Sequence, residues 1–334
     1  MKMFILGAGC WGATLASIYA QKGFKIELWE ANKERFRYLI KHRHPKYYNF
    51  IKLPKSVSIT NELEKLYYYP IIMLAIPSVY VRETLEKIKN LNIKDKTFIS
   101  CTKGLEINTL KTPSQIINEV LSINYKNILT FSGPSHAEEV ALKKPTAIIL
   151  AGKNPKLLKE LQRLLSTEFL RIYINSDIIG VEIAGAIKNI YAIAAGICDG
   201  LQLGNNAKSS LLTRALKEML LIGKILGGNP KTFIGLAGLG DLLTTSYSRF
   251  SRNRNFGEYL ATYKDIKKAK QKIKTSIEGL FTLKAIYKLS KNKLIELPIV
   301  EELYKIVYKN KNPQNSIKTL LSRKLKKEFY GYQI

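Results

Sequence analysis

Cysteine is scarce in this chain of 334 residues, and the three that occur are the widely separated Cys10, Cys101 and Cys198. No two of them form a C-x-x-C pair, so the sequence supports neither a disulfide framework nor a zinc knuckle. This cysteine usage is typical of a reducing compartment, and we expect a cytoplasmic protein.

Motifs for several common chemistries are also absent. The three histidines, His42, His44 and His136, show no H-E-x-x-H or other metal-ligand spacing, so we expect no metal site. No G-x-S-x-G nucleophile elbow occurs, and the stretch from Gly227 to Thr232 lacks the spacing of a phosphate-binding P-loop. The sequence therefore gives no support for those hydrolase and nucleotide-hydrolysing classes.

Acidic residues are few: 26 Asp plus Glu stand against 54 Lys plus Arg, which gives a formal net charge of +28. Such a surplus attracts nucleic acid, anionic lipid or anionic metabolites. The lysines are scattered along the chain, however, and the chain is rich in the Lys, Ile, Asn, Tyr and Phe that AT-rich genomes favour. We therefore interpret the charge as a basic, solvated surface that can steer anionic substrates, and we expect no nucleic-acid partner.

Apolar runs that are uncharged and long enough to span a membrane are lacking. The first twenty residues resemble a secretion signal, but their spaced glycines and continuing helical periodicity favour mature structure. The most apolar stretch, from Ile178 to Ile197, contains Glu182 and Lys188. A charge near the centre of a span costs about 2.5 to 3.5 kcal/mol, so we expect a buried helix and no stable membrane insertion.

The chain is long enough for two domains of about 150 residues each. In its first half, short apolar runs alternate with helical segments, which is typical of a doubly wound, mostly parallel sheet. The predicted strands are Lys2–Leu6, Phe24–Trp29, Ile71–Ile76, Thr97–Cys101, Ile128–Phe131 and Thr146–Leu150. We predict an α/β fold with a dinucleotide-binding, Rossmann-type domain at 1–176 and an all-helical substrate and catalytic domain at 177–334.

A glycine-rich turn follows the first predicted strand. Its sequence, Gly7-Ala8-Gly9-Cys10-Trp11-Gly12, matches G-x-G-x-x-G, and a predicted helix follows at Ala13–Lys22. The first glycine permits the tight turn, the second lets the backbone approach a pyrophosphate, and the third lets the helix pack on the strand. The helix N-terminus presents N–H groups to the phosphates, so this pattern predicts dinucleotide binding.

An acidic residue, Glu30, follows the second predicted strand eighteen residues after Gly12. An acidic side chain near this position holds the adenosine ribose hydroxyls of NAD. Lys33, Arg35 and Arg37 come directly behind it and could instead hold the additional phosphate of NADP. The residues therefore leave the preference between NAD and NADP open.

Polar loops follow three of the predicted strands, at Ala75–Ser78, Thr102–Gly104 and Ser132–Ser135. Ligands of a parallel sheet bind at the carboxyl ends of its strands, although each segment could also be a routine loop. Ser135 and Glu138 in addition form an S-x-x-E capping box, which predicts that a helix starts there.

In the second half, the candidate polar sites are Lys188 and the basic segment from Ser251 to Asn255. On a helix, the neighbours of Lys188 are small and mainly apolar, so its amine could contact a substrate or reach the surface. A guanidinium with neighbouring amides can clamp a phosphate, and an exposed basic loop is the alternative for that segment.

Together these segments resemble the bacterial NAD(P)-dependent glycerol-3-phosphate dehydrogenase family over nearly the whole chain. The segments that carry the resemblance are GAGCWGATLA from Gly7, AIPS from Ala75, TKGLE from Thr102, FSGPSHAEEVA from Phe131, GVEIAGAIKNIYAIAAGICDG from Gly180, NNAKSSLLTRALKEM from Asn205, GLAGLGDLLTT from Gly235 and SRNRNFG from Ser251. Because they occur in the family's order, the resemblance is specific.

The resemblance implies reversible hydride transfer between NADH or NADPH and dihydroxyacetone phosphate, which gives sn-glycerol 3-phosphate for glycerophospholipid synthesis. It also implies a homodimer. Lys188 is then expected to act as general acid and base at C2 of the substrate. Lys103 is expected to stabilise the developing alkoxide.

Motifs and resemblance together give two groups of binding residues. The residues expected to contact the substrate are Lys103, Gly133, Ser135, Asn189, Asp241, Thr245, Ser251, Arg252 and Asn253. The residues expected to contact the dinucleotide are Gly7, Gly9, Cys10, Trp11, Gly12, Glu30, Lys33, Tyr48, Lys103, Ala137, Arg252 and Glu278.

The chain departs from the family pattern in its first half. The run from His44 to Asn49 stands where the family has an Asn-x-x-Tyr-Leu-Pro-Gly-like sequence, which weakens the match at Tyr48. Glu30 and Ala31 replace residues that are often basic in NADP users, which puts a preference for NADPH in doubt. Two other functions stay open: a related two-domain hydroxyacid dehydrogenase that acts on a carboxylate, and a non-catalytic nucleotide-binding protein.

Overall fold

The computed structural model describes residues 1–273 and 275–328. Residue contacts divide the chain into two compact units. A sheet unit comprises Met1–Lys103 and Lys111–Glu182, and a helical unit comprises Gly104–Leu110 and the chain from Ile183 onward. The domain division after residue 176 stays a prediction, and residues 274 and 329–334 of the predicted helical domain lie outside the described residues.

The sheet unit has eight strands within the described residues. They are β1 (Lys2–Leu6), β2 (Lys25–Trp29), β3 (Val57–Thr60), β4 (Ile71–Leu74), β5 (Thr97–Ser100), β6 (Ile128–Ser132), β7 (Thr146–Gly152) and β8 (Leu170–Asn175). Their order in the sheet is β3-β2-β1-β4-β5-β6-β7-β8, and all neighbours are parallel except the antiparallel pair β6 and β7. The first six follow the order of a doubly wound Rossmann sheet, so the predicted fold class is confirmed.

Central strands of this sheet are buried along their whole length because both faces are covered. All residues of β4 and β6 are buried, as is typical of parallel sheets packed on both sides. The six predicted strands are present, and their ends differ from the predicted ones by at most two residues. The edge strands β3 and β8 were not predicted, because exposed residues interrupt their apolar pattern.

Helices pack on the sheet through apolar faces. They are α1 (Cys10–Gln21), α2 (Lys33–His42), α3 (Val81–Glu86), α4 (Pro113–Leu121), α5 (Ala137–Ala141) and α6 (Pro155–Leu165). The predicted start of α1 at Ala13 is wrong: the helix begins at Cys10, with Gly9 as its N-cap. The last three residues of the glycine motif therefore form the first turn of the helix.

The helical unit is built around one long apolar helix. The helices from residue 178 onward are α7 (Ile178–Gly200), α8 (Gly204–Ile225), α9 (Pro230–Phe233), α10 (Asp241–Tyr247), α11 (Arg252–Tyr263), α12 (Ile266–Gln271), α13 (Glu278–Asn292), α14 (Pro298–Lys309) and α15 (Pro313–Leu321). The most apolar window of α7 is 94% buried inside the fold, so this helix lies in a protein core, as predicted.

Small residues let α7 and α11 approach closely. A Cβ on Gly257 of α11 would lie 2.0 Å from the carbonyl oxygen of Ile193, and a Cβ on Gly196 of α7 would lie 1.8 Å from the carbonyl oxygen of Arg254. Real Cβ atoms do not approach backbone so closely, so both positions require glycine for this crossing. The contacts fix the first two turns of α11 against the C-terminal half of α7.

Candidate functional site

The glycine-rich turn lies at the carboxyl end of β1, where the winding of the sheet reverses toward β4. Gly7 has a φ of +108°, and a Cβ there would lie 2.6 Å from the carbonyl oxygen of Ala75. A Cβ on Gly12 would lie 1.9 Å from the carbonyl oxygen of Gly7. The steric reasons for which the motif needs glycine at these two positions are therefore confirmed.

The second glycine of the motif, Gly9, borders open space. A Cβ on Gly9 would meet no atom within 4 Å, although the residue is the N-cap of α1. An α-helix leaves its first N–H groups without intrahelical partners, and Gly9 has no side chain that could accept from them. The turn therefore fits a pyrophosphate, which would lie against backbone N–H groups at the positive end of the helix dipole.

Several predicted cofactor residues lie in the sheet unit. The ring of Trp11 stacks on Phe131 of β6 with 6.5 Å between centroids. The Cys10 thiol lies 4.0 Å from Oε1 of Glu138, and Ala137 is the buried first residue of α5. Tyr48, which matched the family only weakly, packs edge-on against Phe50 and lines the apolar core. Their roles toward a cofactor stay predictions.

Glu30 follows β2 directly and is only 6% exposed. Its Oε1 accepts from the guanidinium of Arg35 at 3.1 Å (Nε) and 2.9 Å (Nη2). The same oxygen accepts from the backbone N–H of Asn32 at 2.9 Å. Arg35, which the sequence offered as a phosphate ligand, is thus paired with the carboxylate. Lys33 is the exposed first residue of α2.

The loops after β5 and β6 are joined through a lysine. Nζ of Lys103 donates to the carbonyl oxygen of Gly133 at 2.8 Å and lies 3.5 Å from the hydroxyl of Ser135. That hydroxyl donates to Gly133 O at 3.0 Å. The predicted capping role of Ser135 is wrong, because α5 begins one residue later than that box requires, with His136 as its N-cap. The serine hydroxyl is instead engaged beside Lys103.

In the helical unit, Lys188 of α7 is buried against α10. Its Nζ donates to Oδ1 of Asp241 at 3.0 Å and also to Oγ1 of Thr245. The Lys188 and Asp241 side chains are 6% and 2% exposed. The sequence left open whether this lysine reaches the surface, and the structure answers that it forms a buried ion pair. A hydrogen-bonded ammonium group in such a setting is a defined proton donor.

A second polar group joins α7, α11 and α13. The Asn253 amide donates to Oδ1 of Asn189 at 2.8 Å, and its Oδ1 accepts from the backbone N–H of Gly279 at 2.9 Å. Asn189 directly follows Lys188, and Gly279 directly follows Glu278, the first residue of α13. The side chain of Asn253 therefore connects three helices through hydrogen bonds within the protein.

The predicted phosphate clamp lies at the start of α11. Ser251 is the N-cap, and its hydroxyl accepts from the backbone N–H of Arg254 at 3.2 Å. Arg252 is exposed, and its Nη1 donates to Oγ1 of Thr275 at 3.1 Å. A helix N-terminus beside a guanidinium suits an anion such as a phosphate ester.

The sequence reading missed a charged cluster behind this clamp. Asp199, near the end of α7, accepts from Arg254 Nε at 2.7 Å and holds Nζ of Lys208 at 2.8 Å from both of its oxygens. Arg254 also donates to Glu258 at 2.7 Å. Only the spacing between Arg254 and Glu258 on one helix was visible in the sequence; the other contacts join distant segments.

Comparisons with known proteins assign the family. The model described as NAD-dependent glycerol-3-phosphate dehydrogenase N-terminus matches residues 2–158, and the one described as the C-terminus of the same enzyme matches residues 177–318. The chain belongs to the NAD-dependent glycerol-3-phosphate dehydrogenase family. The predicted family is confirmed, and with it the predicted enzyme class, an NAD(P)-dependent oxidoreductase.

Relatives match along their whole length. The chain is 44% identical to glycerol-3-phosphate dehydrogenase (NAD(P)+) of Thermotoga sp. (strain RQ2) and 41% identical to that of Thermoanaerobacter sp. (strain X514), each over 99% of this chain and 100% of the relative. The crystal structure of glycerol-3-phosphate dehydrogenase from Coxiella burnetii matches with a TM-score of 0.91 and 36% identity, over 96% of this chain and 99% of that one.

Proposed function

We propose that the chain catalyses reversible hydride transfer between NADH or NADPH and dihydroxyacetone phosphate, giving sn-glycerol 3-phosphate for glycerophospholipid synthesis. Membership of the family supports this reaction. The observation that carries the chemistry is the buried, hydrogen-bonded ammonium of Lys188 on α7. A carbonyl reduction needs a proton at the oxygen as well as a hydride at the carbon, and this lysine is suited to supply it.

Lys188 is assigned as the general acid and base. A nicotinamide dinucleotide held at the glycine-rich turn would supply the hydride for C2 in reduction and would take it up in oxidation. Lys188 Nζ gives its proton to the oxygen on C2 in reduction and removes the hydroxyl proton in oxidation. Asp241 and Thr245 hold the ammonium group, so they position the proton.

Lys103 is assigned to the electrostatic stabilisation of the alkoxide that develops in the substrate. Its Nζ is oriented by the carbonyl of Gly133 and lies near the hydroxyl of Ser135, so a positive charge and a hydroxyl are presented together. We propose that Gly133 and Ser135 contact the substrate at this place.

The start of α11 is assigned to the substrate phosphate. Ser251, Arg252 and Asn253 present a hydroxyl, a guanidinium and the N-terminal N–H groups of a twelve-residue helix. Asn189 supports this group through its hydrogen bond with Asn253. The dinucleotide is assigned to the glycine-rich turn and to the remaining predicted cofactor residues. Those are Cys10, Trp11, Glu30, Lys33, Tyr48, Lys103, Ala137, Arg252 and Glu278.

An absorbance assay with dihydroxyacetone phosphate, run with NADH and with NADPH, tests the reaction and the role of Lys188. Lys188→Met is expected to lose about 10² to 10⁴ in kcat and to keep its affinity for the dinucleotide. Lys208→Met is the matched control, because Lys208 is also buried and paired with a carboxylate but belongs to the cluster at Asp199. Equal turnover in the two variants would refute the assignment.

Substrate class, assembly and location have their own tests. Activity with 2-hydroxyacids and none with the phosphate ester would favour the hydroxyacid alternative. We also propose a homodimer, to be checked by sedimentation, and a cytoplasmic location, which the scarcity of cysteine in the sequence supports.

A further inference from the structure

The carboxylate of Glu30 lies beside the glycine-rich turn. The backbone N–H of Gly7 donates to the carbonyl oxygen of Trp29 at 3.1 Å, which joins the turn to the last residue of β2. The N–H of Glu30 donates to the carbonyl oxygen of Thr60 at 3.0 Å, which joins the next residue to β3. The backbone on both sides of this carboxylate is thus fixed at the carboxyl edge of the sheet.

The two oxygens of this carboxylate have different surroundings. Oε1 accepts three N–H groups, two from the guanidinium of Arg35 and one from the backbone of Asn32. The Asn32 side chain in turn caps α2 by accepting from the N–H of Arg35 at 2.9 Å. Oε2 accepts no hydrogen bond from any residue that the structure describes. The closed loop of contacts thus fixes the carboxylate and leaves one oxygen for an external donor.

We propose that Glu30, oriented by Arg35, accepts the adenosine ribose hydroxyls through Oε2 and makes the site selective for NAD(H) over NADP(H). This inference rests on the dinucleotide site of the proposed function. A vicinal diol presents O–H donors to a charged acceptor, and such charge-assisted bonds are the strong ones. A 2′-phosphate carries negative charge and only acceptors, so it is repelled by the same oxygen.

Nearby cations do not reverse this preference. Arg35 has its Nε and Nη2 edge on Glu30, so a 2′-phosphate would have to compete with a buried carboxylate for that edge. Lys33 is exposed and makes no hydrogen bond or ion pair within the described part of the chain, so a phosphate there would meet a mobile, solvated ammonium. The charge of Arg35 is thus taken up by Oε1 of Glu30, and Oε2 is the acceptor that remains for the ribose.

Calorimetric titration of the full-length protein with NADH and with NADPH, in the absence of substrate, tests the proposal. The unmodified protein is expected to bind NADH about tenfold or more tightly than NADPH. Glu30→Gln should weaken NADH binding and strengthen NADPH binding, because the repulsion is removed. A gain of affinity for one nucleotide cannot result from misfolding, so this variant stays informative even if it is less stable.

Two arginine variants separate orientation from phosphate binding. Arg35→Ala should weaken NADH binding severalfold, because the carboxylate loses its orientation. Arg37→Ala removes the same charge from α2 without touching Glu30 and should leave the ratio of the two affinities unchanged. Loss of NADPH affinity alone in either variant would identify a 2′-phosphate ligand and overturn the proposal.

Other outcomes are equally decisive. Tighter binding of NADPH by the unmodified protein, an unchanged ratio in Glu30→Gln, or no binding of either dinucleotide would each overturn the inference. If NADH binds preferentially but dihydroxyacetone phosphate is not reduced, the selectivity stands and the proposed reaction fails.

Discussion

Replacing Asp241 by asparagine removes the negative charge that faces the buried ammonium of Lys188 while keeping the shape of the side chain. The two groups are 3.0 Å apart, and their side chains are 2% and 6% exposed. At an effective dielectric constant of about 20, their attraction is roughly 5 kcal/mol, and the cost of removing both charges from water opposes it.

The net effect of the substitution follows from what remains around the lysine. Breaking a buried pair by removing one partner costs about 3 to 5 kcal/mol, because the other charge stays buried without it. Thr245 still accepts from Nζ after the substitution, so we expect a loss near the lower end, about 3 kcal/mol of unfolding free energy. Turnover should fall as well, since the proton donor loses its positioning group.

Urea unfolding of Asp241→Asn, Lys188→Met and the double variant measures the coupling between the two side chains. We expect the double variant to lose clearly less stability than the sum of the single variants, by about 1 kcal/mol or more. The matched control is the exposed pair of Lys87 and Glu83, which is 2.7 Å apart with side chains 57% and 65% exposed. Its coupling should stay at about 0.5 kcal/mol or less. Additive losses at Lys188 and Asp241 would refute the reasoning.

Three further predictions concern the turn, a buried acid and the clamp. Gly9→Ala should leave unfolding unchanged but weaken dinucleotide binding by about 1 to 3 kcal/mol, whereas Gly12→Ala should also destabilise the fold; calorimetry and urea unfolding distinguish them. Burial raises the pKa of Glu218 from 4.5 to about 7, so the folded protein keeps a proton that the unfolded chain has released. The free energy of unfolding should therefore fall as the pH rises from 4.5 to about 7. In Glu218→Gln this fall should be smaller by roughly 3 kcal/mol, which unfolding measurements at about pH 5 and pH 8 would show. Arg252→Ala should raise KM for dihydroxyacetone phosphate about tenfold or more, while Arg249→Ala should not; equal KM values in both would contradict the phosphate clamp.

Much of the sheet unit could be predicted because its signals are local. The six predicted strands consist mainly of buried apolar residues, and a parallel sheet covered on both faces requires such runs. The edge strands β3 and β8 escaped, because half-exposed strands carry a diluted pattern. The capping box at Ser135 was misleading, because one hydroxyl can serve a helix end or a neighbouring loop, and here it bonds to Gly133.

The candidate site was predicted residue by residue, but its contacts were not. Lys188 stood out in the sequence only as a charge on an apolar face, which a surface lysine would match equally well. The missed cluster of Asp199, Lys208 and Arg254 left no pattern, since its members come from three helices whose packing the sequence does not state.

The sequence by itself determined the glycine-rich turn, because the steric demands at Gly7 and Gly12 arise within a few residues and only glycine meets them. The alternation of strands and helices and the order of the motifs likewise determined fold class and family. Only the tertiary structure decided that Lys188 pairs with Asp241, 53 residues away. Only the tertiary structure decided, too, that one oxygen of Glu30 binds Arg35 while the other accepts no hydrogen bond from the described residues. The physical reason is that periodicity records which face of an element is buried, whereas side-chain partners depend on which buried faces meet.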